Sequence, residues 1–178
     1  PSLGYEDLKY GYSTVKISTS SKRVMSWNNN GNLKVHLTPG RNTTKSTYYT
    51  RGSHNDDVLR IQGTPDDINS YSSLGYEDWK YGYSTVKIST SSNRVMSWNN
   101  NGNLKVHLKP GPNTTKSAYF SQGSHKDDIL RIQGTPNEIN AYSSLGYEDW
   151  KYGYSTVKIS ASTNKVMSWN NNGNLKVQ

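Results

Sequence analysis

The chain has 178 residues, a net charge of +8 and no cysteine, which excludes disulfide staples, thiol catalysis and thiolate metal sites. Its mean hydropathy is −0.92, and no apolar run approaches the ~20 residues that a membrane helix needs. Hydrophobic residues make up only 31%, where roughly 45–50% is usual on a count that includes Gly; 14 Tyr and 5 Trp offset part of the deficit, since they bury large areas while keeping a polar tip.

The string LGYEDLKYGYSTVKIS that opens at Leu3 returns as LGYEDWKYGYSTVKIS at Leu74 and at Leu145, a spacing of 71 residues each time. A fixed period of this length indicates an array of small structural units. In chain order, residues 1–36 read as the strand half of a first module and 37–52 as a linker. Residues 53–107 form a complete module, 108–123 a second linker and 124–178 a second complete module. The amino-terminal residues carry no charged-then-apolar leader pattern.

Residues 1–36 alternate apolar and polar at period two, as strands do, but no helix precedes them. Their apolar face requires a cover: the helix expected at 53–62, a neighbouring sheet, or another copy of the chain through swapping or dimerisation. Both linkers are rich in Pro, Gly, Thr and Ser, yet each holds an apolar island, Tyr48-Tyr49 and Tyr119-Phe120, which predicts docking onto a module.

The last copy shows the plan of a complete module. Ser124 is placed to cap a short helix, Asp127 three residues later suits a capping box, and Gly134 ends it. Thr135-Pro136-Asn137-Glu138-Ile139 repeats the capping chemistry, with Pro at the first helical position, and predicts a second helical turn. Strands follow at 148–152, 155–160 and 164–169, and Asn172-Gly173 reads as a hairpin turn into a fourth at 174–177. The expected fold is therefore α+β: tandem modules, each a short helical pair packed on a three- or four-stranded antiparallel sheet.

Several side-chain groups invite a chemical reading. The neighbouring acids Glu77-Asp78, with Glu6-Asp7 and Glu148-Asp149, point to opposite faces of a strand and cannot converge on one substrate. His54 and His125 follow a Ser at a helix start, which is a capping pattern and not a triad, whose members converge from separate segments. No catalytic, metal or cofactor site emerges, and the chain reads as a non-enzyme. The position of Trp79 and Trp150 is Leu8 in the first copy, which favours a core role there, while Trp27, Trp98 and Trp169 are constant and stand before an Asn-rich turn where they could stack on a ligand.

The lysines are the most suggestive set. With Val and Ile turned to the core, Lys16, Lys87 and Lys158, together with Lys34, Lys105 and Lys176 and with Lys80 and Lys151, would share the open sheet face. Such a face could grip a polyanion or an acidic glycan, or it could be the polar side that antiparallel sheets ordinarily turn to water. The Asn-rich turns add a weak suggestion of sugar binding.

The order GS-x-x-DD-[VI]-LRIQGTP, then W-x-YG, STVKIS and V-M-SW, resembles the small modules of the BamE/SmpA outer-membrane assembly lipoproteins and of the β-lactamase inhibitor protein. That resemblance implies a two-layer α/β sandwich, a non-catalytic protein-binding role and a bacterial extracytoplasmic or cell-surface setting. The chain lacks the lipid-anchoring cysteine of the lipoproteins, and no contact residue transfers. The expected function is multivalent binding or assembly with a protein partner or by self-association, with no membrane span; the alternative is an array for an anionic polymer or glycan.

Overall fold

The structure, a computed structural model, describes residues 4–178; Pro1 to Leu3, the start of the first strand half, lie outside the described residues. Among these described residues eleven strands follow one another in a single antiparallel sheet, each hydrogen-bonded to its neighbours in chain order. They are β1 Tyr5–Tyr10, β2 Ser13–Ser18, β3 Val24–Asn28, β4 Asp67–Tyr71, β5 Tyr76–Tyr81, β6 Ser84–Ser89, β7 Val95–Asn99, β8 Glu138–Tyr142, β9 Tyr147–Tyr152, β10 Ser155–Ser160 and β11 Val166–Asn170. Two eight-residue helices, α1 Asn55–Gln62 and α2 Lys126–Gln133, precede β4 and β8.

This architecture overturns the expectation of tandem modules, each a helical pair on its own small sheet. The second helical turn is a strand in both places. Its local capping signal yields to the open edge of the next strand: β4 and β8 each pair with five residues of β5 and β9, for example Ile68 with Trp79 and Ile139 with Trp150. Thr135 keeps a capping-like task but serves the preceding loop, its hydroxyl accepting from the Leu108 amide at 2.9 Å. The fourth strand does not form either. The Asn171 side chain accepts from the amides of Gly173 and Leu175, closing a local loop that displaces the hairpin, and Val177 makes only an isolated bridge to Phe120. The helix start also shifts by one residue: His125, not Ser124, is the cap, with Nδ1 accepting from the Asp127 amide, because the Ser124 hydroxyl is taken by the Ser121 amide.

The chain divides into two compact units, one running to Met96 with Asn103–Lys105, the other made of Ser97–Gly102 and Val106–Gln178. In the first, α1 lies over β5 and β6 and the start of β7. Val58, Leu59 and Ile61 are buried, as are Trp79, Tyr81, Val86, Ile88 and Val95. Polar ties fix the helix there: the Tyr81 hydroxyl donates to Gly63 O at 2.9 Å, and Gln62 donates to Asn103 O while accepting from the Lys105 amide. The second unit repeats the arrangement under α2, with Tyr152 bonded to Gly134 O and Gln133 to Asn174 O and the Lys176 amide.

Within each unit the Pro/Gly-rich segment is strapped to the helix it precedes. The Asp56 carboxylate accepts from the amides of Gly40 and Asn42, and Asp57 accepts from the amide and hydroxyl of Thr44; Asp128 holds Thr115 in the same way. Burial opposes the charge on Asp56 and Asp128. For Asp56 the loop amides and His54 outweigh it, and for Asp128 the Thr115 and Arg131 bonds do, so both carboxyls sit below the usual range. Gly40 and Gly111 permit the approach: a Cβ there would stand 2.6 and 2.5 Å from the Asp56 and Asp127 oxygens. The islands dock as their sequence suggests, with Tyr49 and Phe120 fully buried and Tyr48 and Tyr119 half exposed. Among the described residues the buried Tyr49 hydroxyl has no partner, a cost of about 1–3 kcal/mol that Phe120 avoids.

Candidate functional site

Register decides which side chains share a face, because residues directly opposite on paired strands lie on the same side. Leu8–Val15 and Trp79–Val86 belong to the helix side; Asp7–Lys16, Asp78–Lys87, Lys80–Thr85 and Tyr71–Tyr76 belong to the outer side. The neighbouring acids diverge accordingly. Glu77 accepts from the Trp79 indole at 2.9 Å, whereas Asp78 lies 3.2 Å from the Lys87 ammonium.

The outer face carries the same cluster at each 71-residue step. Lys16 stands 3.3 Å above the Tyr5 ring and 3.0 Å from Asp7, Lys87 stands 3.3 Å above Tyr76, and Lys158 stands 3.8 Å above Tyr147. Tyr71 and Tyr76, and likewise Tyr142 and Tyr147, form tilted ring pairs 5.0 Å apart. In the first unit a shallow cleft of about 500 Å³ opens across β1 to β4, lined by Tyr5, Lys16, Met25, Ser26, Asn69 and Tyr71. The tyrosines and Met25 were not singled out from the sequence, although the alternation Tyr76, Asp78, Lys80 places one tyrosine beside each lysine already considered.

The lysines of the sequence reading separate into two groups. Lys16, Lys80, Lys87, Lys151 and Lys158 occupy the outer face. Lys80 faces Asp67 across β4, and Lys151 bonds Glu138 at 2.9 Å, which holds its ammonium above the usual range. Lys34, Lys105 and Lys176 follow the strands and are not among them. The Lys105 ammonium donates to Ile61 O at the end of α1, where the carbonyls favour a cation, and Lys176 binds Gln133 through its backbone. Lys34 is exposed.

The tryptophans are largely structural. Trp27 and Trp98 are buried, and the Trp98 indole donates to Pro136 O. Trp169 is half buried, edge-on to Phe120 at 6.3 Å. Most Asn side chains in the turns serve the backbone: Asn30 and Asn172 donate to Tyr12 O and Tyr154 O, and Asn174 donates to Tyr152 O. Their amides are committed to loop closure, which leaves little for sugar hydroxyls.

A second kind of cleft, about 660 Å³ in the first unit and 590 Å³ in the second, lies beside the start of each helix. Its acids are engaged internally, Asp57 with Arg60 and Asp128 with Arg131. Among the described residues no group of His, Asp or Glu could hold a metal ion, and no helix is long and apolar enough to cross a membrane. No protein-family model, curated protein or solved structure matches the chain.

Proposed function

We propose that the chain is a non-catalytic binding or assembly element whose outer sheet face meets a protein partner, with the repeated sequence multiplying that face. The observation that carries this reading is the pairing of the cations: Lys16, Lys87 and Lys151 are each matched to a carboxylate, and Lys16, Lys87 and Lys158 lie over tyrosine rings. Tyrosine and methionine are enriched at protein interfaces, whereas a polyanion site needs cations free to displace counterions. Repetition would raise avidity without strong single sites. The resemblance to BamE/SmpA and the β-lactamase inhibitor protein suggests a binding role and an extracytoplasmic bacterial setting through its short motifs alone, since the small helical-pair module it implied is not the fold observed, and it supplies no contact residue.

The second reading, an anionic-polymer or glycan array, draws on the net charge of +8. Binding to DNA, heparin and an anionic cell-wall polymer at about 50 and 200 mM salt separates the two. Weak binding that changes less than about tenfold is expected; a loss of a hundredfold or more would reveal several Lys–anion contacts and overturn the protein-binding reading.

A further inference from the structure

Among the described residues no helix lies over the helix side of β1–β3, opposite the face just described. Leu8 is 39% exposed, Tyr10 51% and Val24 55%, while their counterparts Trp79, Tyr81 and Val95 are buried beneath α1. Among the described residues the edge of β1 is open as well: β1 pairs there with β2 alone, whereas β5 and β9 each hold a second strand, β4 and β8. An apolar face beside an unpaired edge is a place for an added strand and its cover.

We propose that this surface docks one more helix–strand segment of the repeat's own sequence, of the kind that residues 49–71 supply to β5–β7. The occupant is specified because the same receptors, already filled, stand 71 residues further on. Tyr10, Asn32 and Lys34 occupy the places of Tyr81, which bonds Gly63 O, of Asn103, whose carbonyl takes Gln62, and of Lys105, whose ammonium reaches Ile61 O. The Lys105 carbonyl also receives the Tyr49 amide, so the incoming segment begins at that tyrosine. One difference selects between the two available versions. In the second unit Lys126 donates to the Asn164 side chain at 2.8 Å; the corresponding residue of the first triplet is Lys22, which would repel a lysine. The Asn55 version, carried by 49–71, fits where the Lys126 version does not.

This inference concerns the face opposite the proposed partner surface and does not depend on it. The test titrates the intact chain with a synthetic peptide of residues 49–71 and reads amide exchange on β1 by NMR. The account expects saturable one-to-one binding, slowed exchange of alternate β1 amides, and at least tenfold weaker binding for Val24→Lys and Leu8→Lys, two exposed sites where the chain still folds. A peptide with Asn55→Lys should also bind at least tenfold more weakly. No β1 protection at millimolar peptide, or binding indifferent to these substitutions, overturns the proposal. So does sedimentation showing a dimer of the chain that Val24→Lys converts to a monomer, since the occupant would then be a second whole copy.

Discussion

The same six residues, STVKIS, form β2 at Ser13–Ser18 and β6 at Ser84–Ser89, and their fates differ. In β6 the pattern is strictly alternating, with Val86 and Ile88 buried and Lys87 turned out; in β2, Val15 and Ile17 are only half buried. Both strands sit between antiparallel neighbours with the same register, Asp7–Lys16 in one and Asp78–Lys87 in the other. Pairing therefore accounts for the strand, and the layer above it accounts for the burial. The outer face, which needs no cover, is alike in both places, down to the lysine over its tyrosine ring.

The largest expected effect comes from truncating the same residue on both sides of the comparison. Ile88→Ala should cost about 2–5 kcal/mol, as buried Ile truncations do, and Ile17→Ala less than half of that, measured by denaturant unfolding. Equal losses would mean that the helix contributes nothing to the burial of β6.

Loosening the strap that seats a helix should push a covered triplet toward the uncovered one. Gly111→Ala forces a Cβ against the buried Asp127 carboxylate and should cost about 1–3 kcal/mol, with no effect on the β1–β3 triplet. Asp128→Asn removes a charged acceptor from the Thr115 amide, for about 1–3 kcal/mol at neutral pH. Its pH dependence has a definite sign. The folded carboxyl lies below its unfolded value, so its contribution is full above about pH 4 and fades as the pH falls through the folded pKa. The Asn variant should show a flatter loss of stability below pH 4 than the parent chain; an unchanged slope would remove Asp128 from the account.

The smallest effect sharpens the comparison within the turns. Lys22, Asn93 and Asn164 all adopt left-handed backbone, at φ 54°, 55° and 58°, a conformation that Asn tolerates better than Lys. Lys22→Asn should stabilise the first triplet by up to about 1 kcal/mol, visible as a small rise in its local protection; Asn93→Lys should do the reverse.

Strands were legible wherever alternation ran beside a Gly turn, as in STVKIS. Thr135-Pro136-Asn137-Glu138 was not legible: its capping chemistry is sound locally, but the unpaired edge of β9 lies downstream and outcompetes it. Asn172-Gly173 failed similarly, because the Asn171 side chain satisfies the amides that a hairpin ladder would have used. On the outer face the lysines at 16, 87 and 158 were readable from period two. Their tyrosine and aspartate partners became visible only with register, and Lys105 was misplaced because the end of α1 attracts its ammonium.

Native-state hydrogen exchange of the two STVKIS strands probes the contribution of the helix layer directly, since the amides share sequence and register and differ in the layer above them and in the further strand, β4, that β5 holds. The Val15 and Ile17 amides should exchange at least a hundredfold faster than those of Val86 and Ile88, a local stability difference of about 2.7 kcal/mol or more. Protection equal to within about threefold would contradict it, and would mean that the helix layer does not set the stability of the strands beneath it.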